Sequence, residues 1–261
     1  MKFLVCIKQV PDTTEIRIDP KTNTLIRTGV PSIVNPFDAY ALDAALRMKE
    51  ESGGTVTVIS MGPPQAEEIL RSALAKGADE AYLVTDRAFG GSDTLATSCI
   101  LAAAARKVGP FDLIFCGKQA IDGDTGQVGP ELAEHLDFAQ ATCVREAHIL
   151  NGKLNVLRQR EGCEEHLEVQ LPAVVTILKK EGHPGFETLR GRYAANRREI
   201  PQLGQAELQV EASRIGLTGS PTRVRRTFTP ERHADCVQLS GQTAEETAKL
   251  LLEQLRRAQV I

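Results

Sequence analysis

Between Gly117 and Glu131 the chain reads Gly-Lys-Gln-Ala-Ile-Asp-Gly-Asp-Thr-Gly-Gln-Val-Gly-Pro-Glu, a composition suited to gripping a phosphate. The apolar segment Leu113 to Cys116 leads in, and the apolar positions Leu132, Ala133 and Leu136 lead out, so the order is strand, glycine-rich loop, helix. At such a helix start the first backbone N–H groups lack intrahelical partners and the macrodipole favours negative charge. Glycine also lets the main chain approach an anion without a Cβ in the way. Gly123, Gly126 and Gly129 spell neither the dinucleotide fingerprint G-x-G-x-x-G nor a Walker loop. Two readings follow. One is a surface turn in which Asp122 and Asp124 cap the helix. The other is a nucleotide cradle: those carboxylates cap N–H groups or accept ribose hydroxyls, and Thr125, Gln127 and the backbone take the phosphate oxygens.

A strand-to-helix loop of this kind needs a sheet to carry it. Phe3 to Ile7 is a short continuous apolar run, as expected of a strand buried on both faces of a parallel sheet, and it places Lys8 to Asp12 at the carboxyl edge. Glu15 to Ile18 and Leu25 to Arg27 flank Lys21-Thr22-Asn23 as an excursion hairpin. Asn35-Pro36 opens a helix with Asn as its cap, and Phe37, Tyr40, Ala41, Ala44, Ala45 and Met48 form one face before Gly53-Gly54. The alternation continues with strand Thr55 to Ser60, helix Pro64 to Lys76 and strand Ala81 to Val84. A helix capped by Asp93, entered through Gly90-Gly91-Ser92-Asp93-Thr94, follows and ends at Gly109-Pro110. The fold class is α/β, with right-handed crossovers and helices on both faces of a parallel sheet.

Beyond the loop helix, Cys143 to Leu150 and Lys153 to Arg160 flank Asn151-Gly152, the residue pair of a type I′ hairpin. Glu164 to Leu171 and Ala173 to Leu178 read as further strands, and all four are expected to extend the sheet antiparallel. From Glu181 the chain reads as a structurally poor connector rich in Gly, Pro and Arg. At Thr243-Ala244-Glu245-Glu246 a capping box starts a final helix with apolar face Ala244, Ala248, Leu251, Leu252 and Leu255. Residues 1–205 are therefore expected to form the nucleotide-binding domain. Residues 206–261 are read as a C-terminal arm whose helix docks on something other than its own sheet.

Composition narrows the function. The chain has 261 residues, 42% of them apolar, enough for a real core. A net charge of −3, no Trp and only 4% aromatic residues argue against nucleic acid as partner. Six scattered cysteines without a C-x-x-C pair read as reduced packing thiols, and five dispersed histidines predict no metal site. The first strand follows directly on Met1-Lys2, and no apolar run approaches the roughly 20 residues of a membrane span. A cytoplasmic location is expected.

Four stretches together resemble the β subunit of an electron transfer flavoprotein: Val5-Cys6-Ile7-Lys8-Gln9-Val10-Pro11-Asp12, Asn35-Pro36-Phe37-Asp38, Gly117 to Asp122, and Arg158 to Thr176. The last carries the family's pattern of a basic residue, then acidic-Gly, then Leu-Pro-Ala-Val-Val-Thr, with Cys163 as a departure where the pattern has a small or acidic residue. The resemblance spans roughly residues 1 to 200. It implies a Rossmann-like fold of the adenine nucleotide alpha hydrolase type, a heterodimer with an α subunit that carries the electron-shuttling FAD, and an adenine nucleotide at the carboxyl edge of this chain's own sheet. The implied contacts are Cys6, Asn35, Pro36, Phe37, Asp38, Met61, Asp122, Gly123, Asp124, Thr125, Gly126, Gln127, Val128, Gly129, Pro130, Glu131, Leu132 and Ala133.

The family divides by that nucleotide. One branch holds AMP as a structural element; the other holds a second FAD that accepts hydride from NADH and bifurcates the electrons. The glycines from Gly123 through Gly129, with Ala133-Glu134-His135-Leu136, resemble the second branch. Gly90, Gly91, Asp93 and Thr94 are then candidates for the NADH side, an ordinary helix cap being the plainer reading. No protein acid or base is expected to be catalytic, because a flavin carries its own chemistry. Lys8, Lys118 or an arginine of the α subunit would stabilise the reduced flavin. Pro184 to Arg192 resembles the family's recognition loop, which places Leu189 in a pocket of an acyl-CoA dehydrogenase-type partner, and a ferredoxin or flavodoxin would accept the low-potential electron. Two rivals are an AMP-holding β subunit and an ATP-consuming enzyme of the related fold, with Gly90 to Thr94 as its pyrophosphate loop.

Overall fold

Continuous apolar runs become strands buried on both faces. In β1 (Lys2–Cys6), Phe3, Leu4 and Val5 are fully buried, and in β8 (Leu113–Gly117) so are Leu113, Ile114 and Phe115. The computed structural model describes residues 1–12, 18–19, 24–25, 31–180, 182–225 and 236–261, which divide into two units, Met1–Arg225 and Arg226–Ile261.

Along the first unit, β1 is followed by the short strands β2 (Gln9–Pro11), β3 (Ile18–Asp19), β4 (Thr24–Leu25) and β5 (Ser32–Val34). Then come α1 (Pro36–Ser52), β6 (Thr55–Met61), α2 (Glu67–Lys76), β7 (Glu80–Val84), α3 (Thr94–Val108), β8 and α4 (Val128–Leu136). The remainder comprises β9 (Ala139–Leu150), β10 (Lys153–Arg160), β11 (Cys163–Val169), β12 (Ala173–Ile177), α5 (Leu189–Ala195), β13 (Gln202–Leu203), α6 (Gln205–Leu208) and α7 (Gly216–Gly219). Of the expected excursion hairpin, β3 and β4 pair antiparallel, while its turn Lys21-Thr22-Asn23 lies outside the described residues.

Among the described residues the central sheet has nine strands, in the order β11-β10-β9-β12-β8-β1-β6-β7-β13. From β9 to β13 every pairing is parallel, and β10 and β11 add antiparallel strands beyond β9. Alternate residues of β1 feed two cores. Phe3 and Val5 pack with Ala41, Leu42 and Met48 of α1 and Leu70 of α2, whereas Leu4 and Cys6 pack with Ile100 of α3 and Leu132 of α4. Helices thus cover both faces, as the βα alternation requires.

Three expectations need correction. Ala173–Ile177 does not extend the sheet antiparallel; it inserts parallel between β8 and β9, buried at every position, as an unbroken apolar run in a sheet interior should be. The strand after α4 starts at Ala139, four residues before Cys143, and its first part pairs parallel with β12. The connector after Glu181 is also structured: it supplies α5, packed on α2, the edge strand β13 beside β7, and α6 and α7. Elements this short carry no readable periodicity. The hairpin turn is as expected, with φ 53° at Asn151 and 77° at Gly152.

In the second unit, α8 (Ala244–Arg257) is capped by Thr243, whose Oγ1 accepts the Glu246 N–H at 3.2 Å, while the Glu246 carboxylate accepts the Gln242 N–H at 2.8 Å. It has no buried residue; Leu251 and Leu252 are exposed. Among the described residues no helix is long and apolar enough to cross a membrane.

Candidate functional site

From β1 the chain winds outward to β6 and β7, then crosses to β8 on the other side of β1, so the order reverses between β1 and β8. At such a reversal the connections leave in opposite directions and open a crevice at the carboxyl ends of the strands. Asn35 ties the two sides together. It is fully buried; its N–H donates to Lys8 O at 2.8 Å, its Nδ2 to Gln119 O at 2.8 Å, and its Oδ1 accepts the Ile121 N–H at 3.1 Å. The sequence reads Asn35 as the cap of α1, but its side chain makes no cap bond, because the neighbouring loop takes it instead.

Asp38, in the first turn of α1, sits beneath the same crossing. Its carboxylate accepts the Lys8 N–H at 2.7 Å and the Gly117 N–H at 3.2 Å. Burial pushes its pKa up to about 7, partly opposed by the hydrogen bonds from Asn35, Lys8 and Gly117. Gly117 is required here, because a Cβ would stand 2.2 Å from Asp38 Oδ1. Cys6 pairs with Cys116 across adjacent strands, both buried. Its hydrogen bond with Cys116, together with burial, holds the Cys6 thiol well above the usual range, so it stays protonated. Met61 ends β6 on this same edge.

The loop after β8 folds on itself. Ala120 O accepts the N–H of Gly123 at 3.3 Å and of Asp124 at 2.8 Å, and Gln119 Nε2 donates to the Asp124 carboxylate. Lys8 Nζ, just past the end of β1, reaches across to Asp122 at 2.7 Å, which commits that ammonium to the loop. Gly123, Asp124, Thr125 and Gln127 are exposed, and a Cβ at Gly123 would meet no atom within 4 Å. No side chain caps α4, whose start lies hard against the sheet: a Cβ at Gly129 would stand 2.5 Å from Thr176 Cγ2. Pro130 in its first turn has no N–H to satisfy. Leu132 and Ala133 are fully buried and their side chains belong to the core.

The start of α3 meets the start of α4. The Thr94 hydroxyl donates to Glu131 Oε1 at 3.0 Å and lies 3.2 Å from the Gln127 side-chain oxygen. Glu131 Oε2 is buried with no hydrogen-bond partner among the described residues. A buried carboxylate oxygen left so is costly and fits a donor from outside the chain, such as a ribose hydroxyl. The two helix starts differ chemically. α3 is closed by Asp93, whose Oδ1 accepts the Ala96 N–H at 3.1 Å, so its positive end already faces a carboxylate. α4 has no such cap and is the one suited to a phosphate. Gly90 and Gly91 stand just before α3, and Asp93 is turned inward to that cap and to Thr222.

Leu189 belongs to a different element. It starts α5 and is 93% exposed. α5 is clamped to α2: Arg71 donates to Ala195 O at 2.9 Å and Arg198 O at 3.1 Å, Arg192 pairs with Glu68, and a Cβ at Gly191 would lie 2.1 Å from Ala75 O. Phe186 and Tyr193 are also exposed, with the Arg197 guanidinium 3.5 Å over the Tyr193 ring. The sequence singles out Leu189; Phe186 lies in the same stretch, Pro184 to Arg192, without a role assigned to it, and Tyr193 lies just beyond it. Sequence reasoning missed Ser220 and Thr222, which hold Asp93, since an isolated hydroxyl residue in an irregular stretch gives no signal.

Comparison with known proteins agrees with this architecture. The electron transfer flavoprotein domain matches residues 22–208. The electron transfer flavoprotein subunit beta of Thermoanaerobacterium thermosaccharolyticum is 50% identical over the full length of both chains. The caffeyl-CoA reductase-Etf complex subunit CarD of Acetobacterium woodii is 47% identical, again over all of both chains. Protein FixA of Bradyrhizobium diazoefficiens is 45% identical over 97% of this chain and 90% of its own.

Proposed function

Because the chain belongs to the electron transfer flavoprotein family as a β subunit, a class of electron-transfer protein that pairs with an α subunit, we propose that it holds an FAD at the β1–β8 crossing. The observation that carries this reading is the uncapped start of α4 beside the open loop at Gly123, with a buried, unpartnered Glu131 oxygen one turn in. Such a flavin supplies hydride acceptance from NADH and onward delivery of single electrons to the α-subunit FAD and to a low-potential acceptor such as ferredoxin or flavodoxin. The chain's own residues bind and orient. The amides of the loop and α4 take the phosphates. Asn35 and Lys8 keep the loop in place, and Glu131 accepts a hydroxyl of the nucleotide. Gly90, Gly91 and Thr94 border the NADH side.

Two surfaces complete the reading. The apolar stripe of α8 docks on the α subunit, and Leu189 enters a pocket of an acyl-CoA dehydrogenase-type partner as an apolar anchor on the clamped helix α5, which also carries the exposed Tyr193. CarD, named for a complex with caffeyl-CoA reductase, supports a partner acting on CoA thioesters. The proposal is tested by anaerobic titration of the purified αβ pair with NADH. Bleaching of flavin absorbance at stoichiometric NADH is expected; no reduction by NADH excludes it.

A further inference from the structure

The stretch that follows α6 is woven into the loop before α3 by a dense set of hydrogen bonds. The Asp93 N–H donates to Ser220 Oγ at 2.8 Å, and Ser220 Oγ in turn donates to Gly216 O at 2.6 Å. Thr222 donates twice to Asp93 Oδ2, through its N–H at 2.9 Å and its hydroxyl at 2.8 Å. Ser92 Oγ accepts the Gly216 N–H at 3.0 Å while donating to Phe89 O at 2.8 Å. Leu217 lies over Gly91 so closely that a Cβ there would stand 2.6 Å from Leu217 Cδ2. Ser220 is buried.

What this strap holds is one residue from the candidate nucleotide site. Burial alone would raise the Asp93 carboxyl, but the hydrogen bonds from Ala96 and Thr222 outweigh it and keep the group below the ordinary carboxylate range. Asp93 is therefore ionised at neutral pH, and it acts as a fixed node: one oxygen on the first turn of α3, the other on Thr222. The next residue, Thr94, is the one that touches Gln127 and Glu131 at the start of α4. A continuous chain of contacts thus runs from Thr222 and Ser220 through Asp93 and Thr94 to the helix proposed to face the phosphates.

We propose that Ser220 and Thr222 are positioning residues for the nucleotide, acting through Asp93 to fix Thr94 against Glu131 and so to aim the unpartnered Glu131 oxygen at its ligand. The inference rests on the nucleotide-site reading above. Without the strap, Asp93 keeps its cap but loses its second tether, Thr94 gains freedom, and Glu131 must be ordered when the ligand binds, which weakens binding.

The test uses the complete αβ pair and the rate at which β-site nucleotide leaves during exchange against excess free nucleotide. Removing one hydrogen bond to an ionised carboxylate predicts about tenfold faster release for Thr222→Val, with Thr222→Ser retaining the original rate. Ser220→Ala should do the same by a separate contact. Thr94→Val should also speed release, and Thr94→Val combined with Thr222→Val should be no faster than the worse single variant, because both break one path. Unchanged release in Thr222→Val and Ser220→Ala, or additive losses with Thr94→Val, overturns the proposal while leaving the site standing. A wild-type pair that contains no adenine nucleotide in the β subunit overturns the site, and the proposal with it.

Discussion

Gly117, the last residue of β8, seats the Asp38 carboxylate: its N–H donates to Oδ1 at 3.2 Å, and a Cβ in its place would stand 2.2 Å from that same oxygen. The first turn of α1 meets the end of β8 at this point. Gly117→Ala should cost about 3 kcal/mol or more, since neither the buried carboxylate nor the strand has room to shift. Gly123→Ala is the contrast. With no atom within 4 Å of the added Cβ, it should leave stability within about 0.5 kcal/mol yet weaken nucleotide binding, where main chain and phosphate must come close. Urea unfolding and nucleotide titration of the two variants check both halves.

Asp38 gives the protein a pH signature. Its pKa is raised by burial to about 7 from an ordinary 3.8, so between those values the folded chain keeps a proton that the unfolded chain has lost. The associated stability is fully present below the lower value and is lost as pH rises through the upper one, at about 1.4 kcal/mol per pH unit in between. Asp38→Asn removes this component. Unfolding midpoints at pH 5 and pH 7.5 should therefore fall further in the wild type than in the variant; equal falls would show that Asp38 does not titrate there.

The Lys8–Asp122 ion pair fixes a loop more than it stabilises a fold. The lysine side chain is 44% exposed, so the pair adds at most about 1 kcal/mol. Lys8→Gln should leave the unfolding midpoint nearly unchanged while amides of residues 119–126 exchange faster. Equal exchange in wild type and variant would show that this ion pair does not hold the loop.

Much of this was legible in the sequence, for reasons that also explain the rest. Unbroken apolar runs such as Phe3 to Ile7 announce buried strands, and Asn151-Gly152 announces its turn, because each signal is local. The loop from Gly117 was readable for the same reason: strand, glycines and helix lie together in sequence. The slot of Ala173–Ile177 between β8 and β9 was not, since pairing partners far apart in sequence leave no trace in a single strand. Asn35 is instructive. Its type fits a cap, and only the fold reveals that Gln119 and Ile121 claim its side chain.

Leu189 is the residue proposed to anchor the docking surface. Truncating a fully exposed leucine that becomes buried in a partner pocket should remove about 2–3 kcal/mol of binding, so Leu189→Ala should raise the KM for the dehydrogenase at least tenfold with nucleotide content unchanged. Arg71→Gln, which frees the far end of α5, should raise KM less and leave kcat alone. Coupled turnover at wild-type KM in Leu189→Ala would remove the residue from the interface.

The central claim concerns what lies at the start of α4, and denaturing the purified αβ pair answers it directly. Acid release followed by chromatography of the supernatant should yield two FAD per heterodimer and no AMP, one FAD from each subunit. One FAD and one AMP per heterodimer would contradict the account, since the β-subunit site would then hold a nucleotide without a redox group.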